Sequence, residues 1–217
     1  MSGRIITLAQ QKGGSGKTTI AAHLAVALMR AGNRVALLDV DPQGSLGEWF
    51  EAREEWRGEG ETGLDFRTAS GWGARREARS LAREFDVVVI DTPPKSDLES
   101  RPAIEAANLV VVPIQPTPVD LWATEPTLAM IAREGARSML IINRVVRRAS
   151  LTTEMLAAID DLGHLAARTL VGNRVSFAAS MGRGATVMET DPTGKGAAEV
   201  TAAAAEVWAA AGAGEGG

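Results

Sequence analysis

Short apolar runs that end in a polar residue recur along this chain, separated by longer stretches in which apolar positions fall three and four apart. The runs Arg34–Asp39, Phe85–Asp91 and Asn108–Ile114 are continuous rather than alternating, which predicts parallel strands covered on both faces. Ile5–Ala9 and Ser138–Ile142 join them, and Leu64–Ala69 and Leu165–Leu170 read as two further strands. Helical spacing runs from Lys17 to Arg30-Ala31-Gly32-Asn33, where Gly32 supplies a stop. It returns over 48–61, over Ala74–Glu84, from the turn Gln115–Trp122 to about Glu134, over Leu151–Leu162, from Gly172–Ala178 to near Gly182, and after Gly196. Thr190–Gly196 reads as a loop. Strands alternating with helices predict an α/β fold, a mostly parallel twisted sheet with helices on both faces.

The turn after the first strand carries the chemistry. Gln10-Gln11-Lys12-Gly13-Gly14-Ser15-Gly16-Lys17-Thr18-Thr19 joins a strand to a helix. Its three glycines let backbone N–H groups curl inward while the helix aims its positive end at the same point, a nest for phosphate. Lys17 would then reach the β- and γ-phosphates and the Thr18 hydroxyl would sit on Mg²⁺. Two carboxylates, Asp39 and Asp41, fall at the carboxyl end of the next strand, where open α/β sheets place ligands. Asp39 reads equally as a site residue and as a turn residue. Asp91 closes another apolar strand, the arrangement in which a carboxylate holds Mg²⁺, commonly through water. Thr92-Pro93-Pro94 then forces an extended exit beside the γ-phosphate, the natural place for a switch.

Lys12-Gly13-Gly14-Ser15-Gly16-Lys17-Thr18-Thr19 resembles the deviant Walker A loop of the ParA/MinD NTPases. Gln10-Gln11 places the chain nearer the ParA branch, in the small variety without an N-terminal helix-turn-helix extension. The resemblance extends to Asp39-Val40-Asp41-Pro42-Gln43-Gly44, to Val88–Pro94 and to the C-terminal third. It implies a three-layer P-loop NTPase fold over residues 1–211, and an ATPase that uses ATP and Mg²⁺. It also implies a nucleotide-sandwich homodimer in which Lys12 crosses to the partner's nucleotide. Asp41 would hold the attacking water and help the Mg²⁺ shell, and Asn143 falls at the adenine-reading position, with a turn-forming asparagine as the alternative. Arg174 and Lys195 match positions that contact DNA phosphates, and Arg144, Arg147 and Arg148 cluster nearby; a scattered solvated surface is the alternative. By the same resemblance the activity is positioning of a plasmid, chromosome or protein cargo through non-specific DNA. A ParB-like or small basic-tailed activator would be the partner, and the location cytoplasmic and nucleoid-associated. A MinD-like membrane cycle and a metabolic ligase are the rival readings.

Composition narrows these. Absent cysteines exclude disulfides and thiolate metal sites, and with them the iron–sulfur and cysteine-regulated relatives; absent tyrosines exclude the tyrosine-kinase branch. Only four lysines stand against nineteen arginines, and two of the four lie in the glycine-rich turn. The net charge of −4 requires any DNA contact to come from a local patch. Met1-Ser2-Gly3-Arg4 enters a strand with no secretory signal expected, and no apolar run approaches a membrane span. No cation follows Lys195, which disfavours membrane attachment through the last helix, and 212–217 is expected to be a disordered tail. His23 and His164 read as structural, which disfavours a ligase. Residues 48–61, with six glutamates, read as a solvated helix with core aromatics or as a docking surface for a basic partner. Arg75, Arg76, Arg79 and Arg83 read as a solvated face.

Overall fold

The computed structural model describes residues 2–94, 97–146 and 150–213. Its strands are β1 (Arg4–Leu8), β2 (Val35–Asp39), β3 (Asp65–Thr68), β4 (Val87–Asp91), β5 (Leu109–Ile114) and β6 (Ser138–Ile142). They form one sheet in the order β3-β2-β4-β1-β5-β6, and every neighbouring pair is parallel. Parallel neighbours cannot be joined by hairpins, so each connection returns over a face of the sheet. The helices that do so are α1 (Lys17–Arg30), α2 (Ser45–Arg57), α3 (Ala74–Leu81), α4 (Asp97–Ala106) and α5 (Pro118–Arg133), and α6 (Ser150–Asp160) follows the last strand. Three more, α7 (Val175–Met181), α8 (Val187–Thr190) and α9 (Lys195–Gly212), complete the described chain.

Alternation along each strand sorts the core. Ile6, Leu8, Leu37, Val89 and Val111 point to the side covered by α1 and α9, where Leu24, Val26, Val200 and Val207 meet them. On the other side Ile5, Leu38, Val88 and Ile90 pack against Ala74, Ala78 and Leu81 of α3, while Val110, Val112 and Leu140 pack against Leu128 and Ile131 of α5. Both faces are therefore apolar, which is why these strands read as unbroken runs.

Leu165–Leu170 is not a strand. Only isolated bridges form there, Leu140 with Ala166 and Val145 with Gly172. Between them Glu206 of α9 takes the N–H groups of Arg168 (2.6 Å) and Thr169 (3.1 Å), drawing that backbone off the edge of β6. Two helices go beyond the sequence pattern, α4 with Pro102 inside it and the single turn of α8.

The helix over 48–61 is also less solvated than its composition suggests. Arg53 is fully buried, and its guanidinium grips the Glu189 carboxylate at 3.0 and 2.8 Å and donates to the carbonyls of Thr62 and Gly184, both at 3.1 Å. Gly184 has φ +64°, and a Cβ there would lie 2.1 Å from the Arg53 nitrogen, so only glycine lets the two backbones approach. Glu189 also completes a capping box with Thr186, fixing α8 against α2.

His23, fully buried in α1, accepts the Val187 N–H at Nε2 (3.2 Å), so its proton sits on Nδ1 and is donated to the Thr19 carbonyl at 2.7 Å. Burial pushes its pKa from 6.5 down to about 4. The unfolded chain therefore binds this proton more readily, and the stability due to neutral His23 is complete above pH 6.5 and lost as pH falls toward 4. That interval corresponds to about 3 kcal/mol. Urea unfolding of wild type and His23→Gln from pH 7.5 to 4 should show a wild-type loss in this window that the variant lacks.

Candidate functional site

Asp39 and Asp91 face one another in register on β2 and β4, and Leu8, the last residue of β1, is in register with Asp91. The glycine-rich loop therefore leaves the sheet beside both carboxylates, at the carboxyl edge where β1 is flanked by β4 and β5. Gly14 (φ +75°) and Gly16 (φ +97°) carry the chain through left-handed geometry into α1. The cavity at this point, about 370 Å³, is lined by Gly14, Gly16, Lys17, Thr18, Thr19 and Asp41 together with Pro94 and Arg144.

Lys17 is buried and folds back so that Nζ donates to the Gln10 carbonyl at 3.1 Å. Desolvation lowers its pKa, and Asp91 and Asp41 act in the opposite direction. The Thr18 hydroxyl donates to Asp91 Oδ2 at 2.6 Å, while buried Asp91 Oδ1 has no hydrogen-bond partner, nor does buried Ser15 Oγ. Desolvation, against the Thr18 bond, raises the Asp91 pKa to about 7, with Asp39 and Asp41 adding to the rise. An unsatisfied carboxylate oxygen beside a hydroxyl is a hard donor set that suits Mg²⁺. Among the described residues no group of three His, Cys, Asp or Glu side chains forms a metal cage, so Thr18 and Asp91 would hold the ion together with phosphate and water oxygens.

Asp39 has a positioning role. Its two oxygens accept the N–H groups of Asp41 (2.9 Å) and Gly47 (3.2 Å), fixing the loop that carries Asp41 and the first turn of α2. Desolvation raises its pKa. Asp41, half-buried, accepts the Gln43 N–H at 2.9 Å and borders the cavity.

A second cavity of about 270 Å³ adjoins the first through Gly16, Thr19 and Arg144. Asn143, Gly172, Asn173, Arg174, Val175 and Phe177 line it, the size and mixed polarity of a cleft for a heterocyclic base. Asn143 donates to the Ser15 carbonyl at 3.1 Å and accepts from the Arg144 N–H at 2.8 Å, so the strand end is tied to the phosphate loop. Arg144 has φ +53° and borders both cavities. Arg174, expected among the DNA contacts, lines this cleft and is paired with Glu199 through both guanidinium nitrogens. Lys195 is exposed at the start of α9, and Arg147 and Arg148 lie outside the described residues.

Lys12 lines neither cavity. Its Nζ rests 2.6 Å from Oδ2 of Asp120, a buried residue that also takes the Thr117 hydroxyl and whose Oδ1 has no hydrogen-bond partner. Gln10 binds Thr127 (2.9 Å), Thr124 (3.1 Å) and the Lys12 N–H (3.3 Å), so the loop is bolted to α5. Sequence reasoning missed this network. The signal was present: Thr117, Asp120, Thr124 and Thr127 are spaced three, four and three apart, a polar stripe on the face a helix turns inward.

Fold and loop together define a P-loop nucleotide-binding protein. The chain belongs to the CobQ/CobB/MinD/ParA nucleotide binding domain family, whose model matches residues 6–187. It is 29% identical to a maintenance of carboxysome distribution protein A from Halothiobacillus neapolitanus over 202 residues, 89% of this chain and 91% of that protein. With the chromosome-partitioning ATPase Soj of Thermus thermophilus it shares 30% identity across 95% of this chain and 96% of the other. A structure of the septum site-determining protein MinD of Pyrococcus horikoshii with Mg-ADP superposes with TM-score 0.82 at 21% identity, covering 96% and 97% of the two chains.

Asp91→Asn keeps an acceptor for Thr18 but removes the charge. Nucleotide titrations with magnesium and with chelator should show that wild type gains affinity from the metal at least tenfold and that the variant gains little.

Proposed function

We propose that this chain is an ATP- and Mg²⁺-dependent positioning ATPase of the ParA type, closing into a dimer around two nucleotides and holding non-specific DNA in that state. The observation that carries this reading is the placement of Lys12. Lys17 lines the chain's own phosphate cavity, whereas Lys12 stands outside it on Asp120, with its side chain 30% exposed. A lysine held by a carboxylate outside its own site is available to a phosphate brought by a second copy. Exchange of Asp120 for phosphate keeps the ammonium paired but leaves buried Asp120 with the Thr117 hydroxyl, so it requires the binding energy of the second copy and its nucleotide, and it reverses when they leave.

Asp41, at the cavity wall, orients the attacking water in this reading, and Lys17 and Lys12 hold charge that develops on the terminal phosphoryl group. Thr18 and Asp91 hold the metal, which would neutralise phosphate charge when bound. No described side chain at the cavity is a free strong base, which favours slow turnover until a basic-tailed partner rearranges the site. Among the described residues no helix is long and apolar enough to cross a membrane. The relatives named for carboxysome distribution and for chromosome partitioning leave a protein assembly or a DNA region as the cargo class. A nucleoid-associated location follows from the DNA-bound state.

Lys12→Ala should bind ATP within a few-fold of wild type yet stay monomeric in light scattering with a non-hydrolysable analogue; normal dimerisation of that variant would remove the shared-nucleotide dimer. Asp41→Ala should hydrolyse at least a hundredfold more slowly and accumulate as an ATP-loaded dimer. Rapid phosphate release by this variant would take Asp41 out of the reaction.

A further inference from the structure

The 3-10 turn Gly71–Gly73 and the helix α3 behind it carry one face unlike the rest of the surface. Trp72, 86% exposed, lines an open groove of about 360 Å³ with Arg75, Arg76, Arg79 and Arg83. Arg76 and Arg79 are three apart on one face of α3, with Trp72 on the turn before it and Arg83 just past its end, and Glu77 falls on a different face. The opposite side of α3 is Ala74, Ala78 and Leu81, all buried against the sheet, so the arginines ride on a fixed rail. Arg75 is paired with Glu105 of α4 at 3.1 Å, leaving Arg76, Arg79 and Arg83 as the outward cations, all exposed.

We propose that this groove is the surface that grips duplex DNA, through the phosphate backbone and without reading sequence. The inference rests on the positioning-ATPase reading and locates its polyanion contact away from Arg174, which is occupied by Glu199. Guanidinium groups one helical turn apart match a row of phosphates better than a compact acidic site, and Trp72 adds an indole N–H donor and a flat apolar face at the groove edge. With a net charge of −4 the chain has no general attraction to DNA, so a local rail must supply it.

The rail also lies against the helix that follows the phosphate site. A Cβ on Gly71 would lie 2.6 Å from the Glu99 Cα, so the turn bearing Trp72 abuts α4, the helix that follows Asp91 and the Thr92-Pro93-Pro94 exit.

The test is the triple variant Arg76→Ala/Arg79→Ala/Arg83→Ala in the full chain, with Arg76→Gln/Arg79→Gln as the milder partner. Nucleotide affinity serves as the check on folding. Retention on random-sequence duplex with ATP, from 50 to 200 mM salt, should fall at least tenfold in the triple variant. Its log–log salt slope should be shallower by about 2.7 per subunit, three phosphates at about 0.9 each. The milder pair should flatten the slope by about 1.8 on the same scale. Wild type that never retains duplex in any nucleotide state sinks the functional reading and this site with it. Wild type that retains duplex while either variant, folded by the nucleotide check, matches it in affinity and slope sinks the site alone. The site is likewise overturned if the substitutions abolish capture of anionic vesicles or an acidic protein but leave duplex retention intact.

Discussion

A carboxylate buried without compensation is the constraint on which this structure turns. Asp91 is 1% exposed at the carboxyl end of β4, one oxygen held by Thr18 and the other unsatisfied, with Asp39 in register beside it. Burial disfavours its charged form and pushes its pKa up to about 7, so the charge is barely tolerated without a cation beside it. The same features that make it costly make it a good ligand for a dication, because the protein has already removed the competing water. Lys17 shows the complementary arrangement: a buried cation, shifted toward neutrality by desolvation, that rests on a backbone carbonyl. The site thus holds two opposed charges, each only partly satisfied within the chain.

Much of this was legible in the sequence because the fold leaves a strong imprint on parallel strands. Five apolar runs fell on strands, and the glycine-rich turn, Asp41 and Asp91 came together where the strand ends predict. The failures have particular causes. Leu165–Leu170 has the composition of a strand, but Glu206, nearly forty residues later, claims its N–H groups; no local pattern records that competitor. Arg53 lay in a charge-rich segment whose average concealed one position turned fully inward. The turn α8 was readable, since Thr186-Val187-Met188-Glu189 is a capping-box sequence. The Asp120 network required noticing that polar residues, too, can mark the inner face of a helix.

That network joins two things that a switch must join. Gln10 precedes the phosphate loop, touches Thr124 and Thr127 of α5, and accepts the N–H of Lys12, whose ammonium sits on Asp120 of the same helix. Nearly every link is a polar contact rather than packing, so the position of the phosphate loop and that of α5 depend on the same few donors and acceptors. A change in the partner of the Lys12 ammonium would therefore reach the phosphate loop and α5 together, the kind of shared element that coupling between sites requires.

The contact between Gly184 and α2 has a consequence for how this chain can be rebuilt. Because the two backbones come too close for any side chain at 184, and because Arg53 and Glu189 satisfy each other in the dry interior, the N-terminal half and the last third are matched as lock to key. A chimera that exchanges everything after Val171 with a relative would bring a foreign partner to a buried guanidinium. Recombination within the family should succeed only where both halves of that clasp travel together.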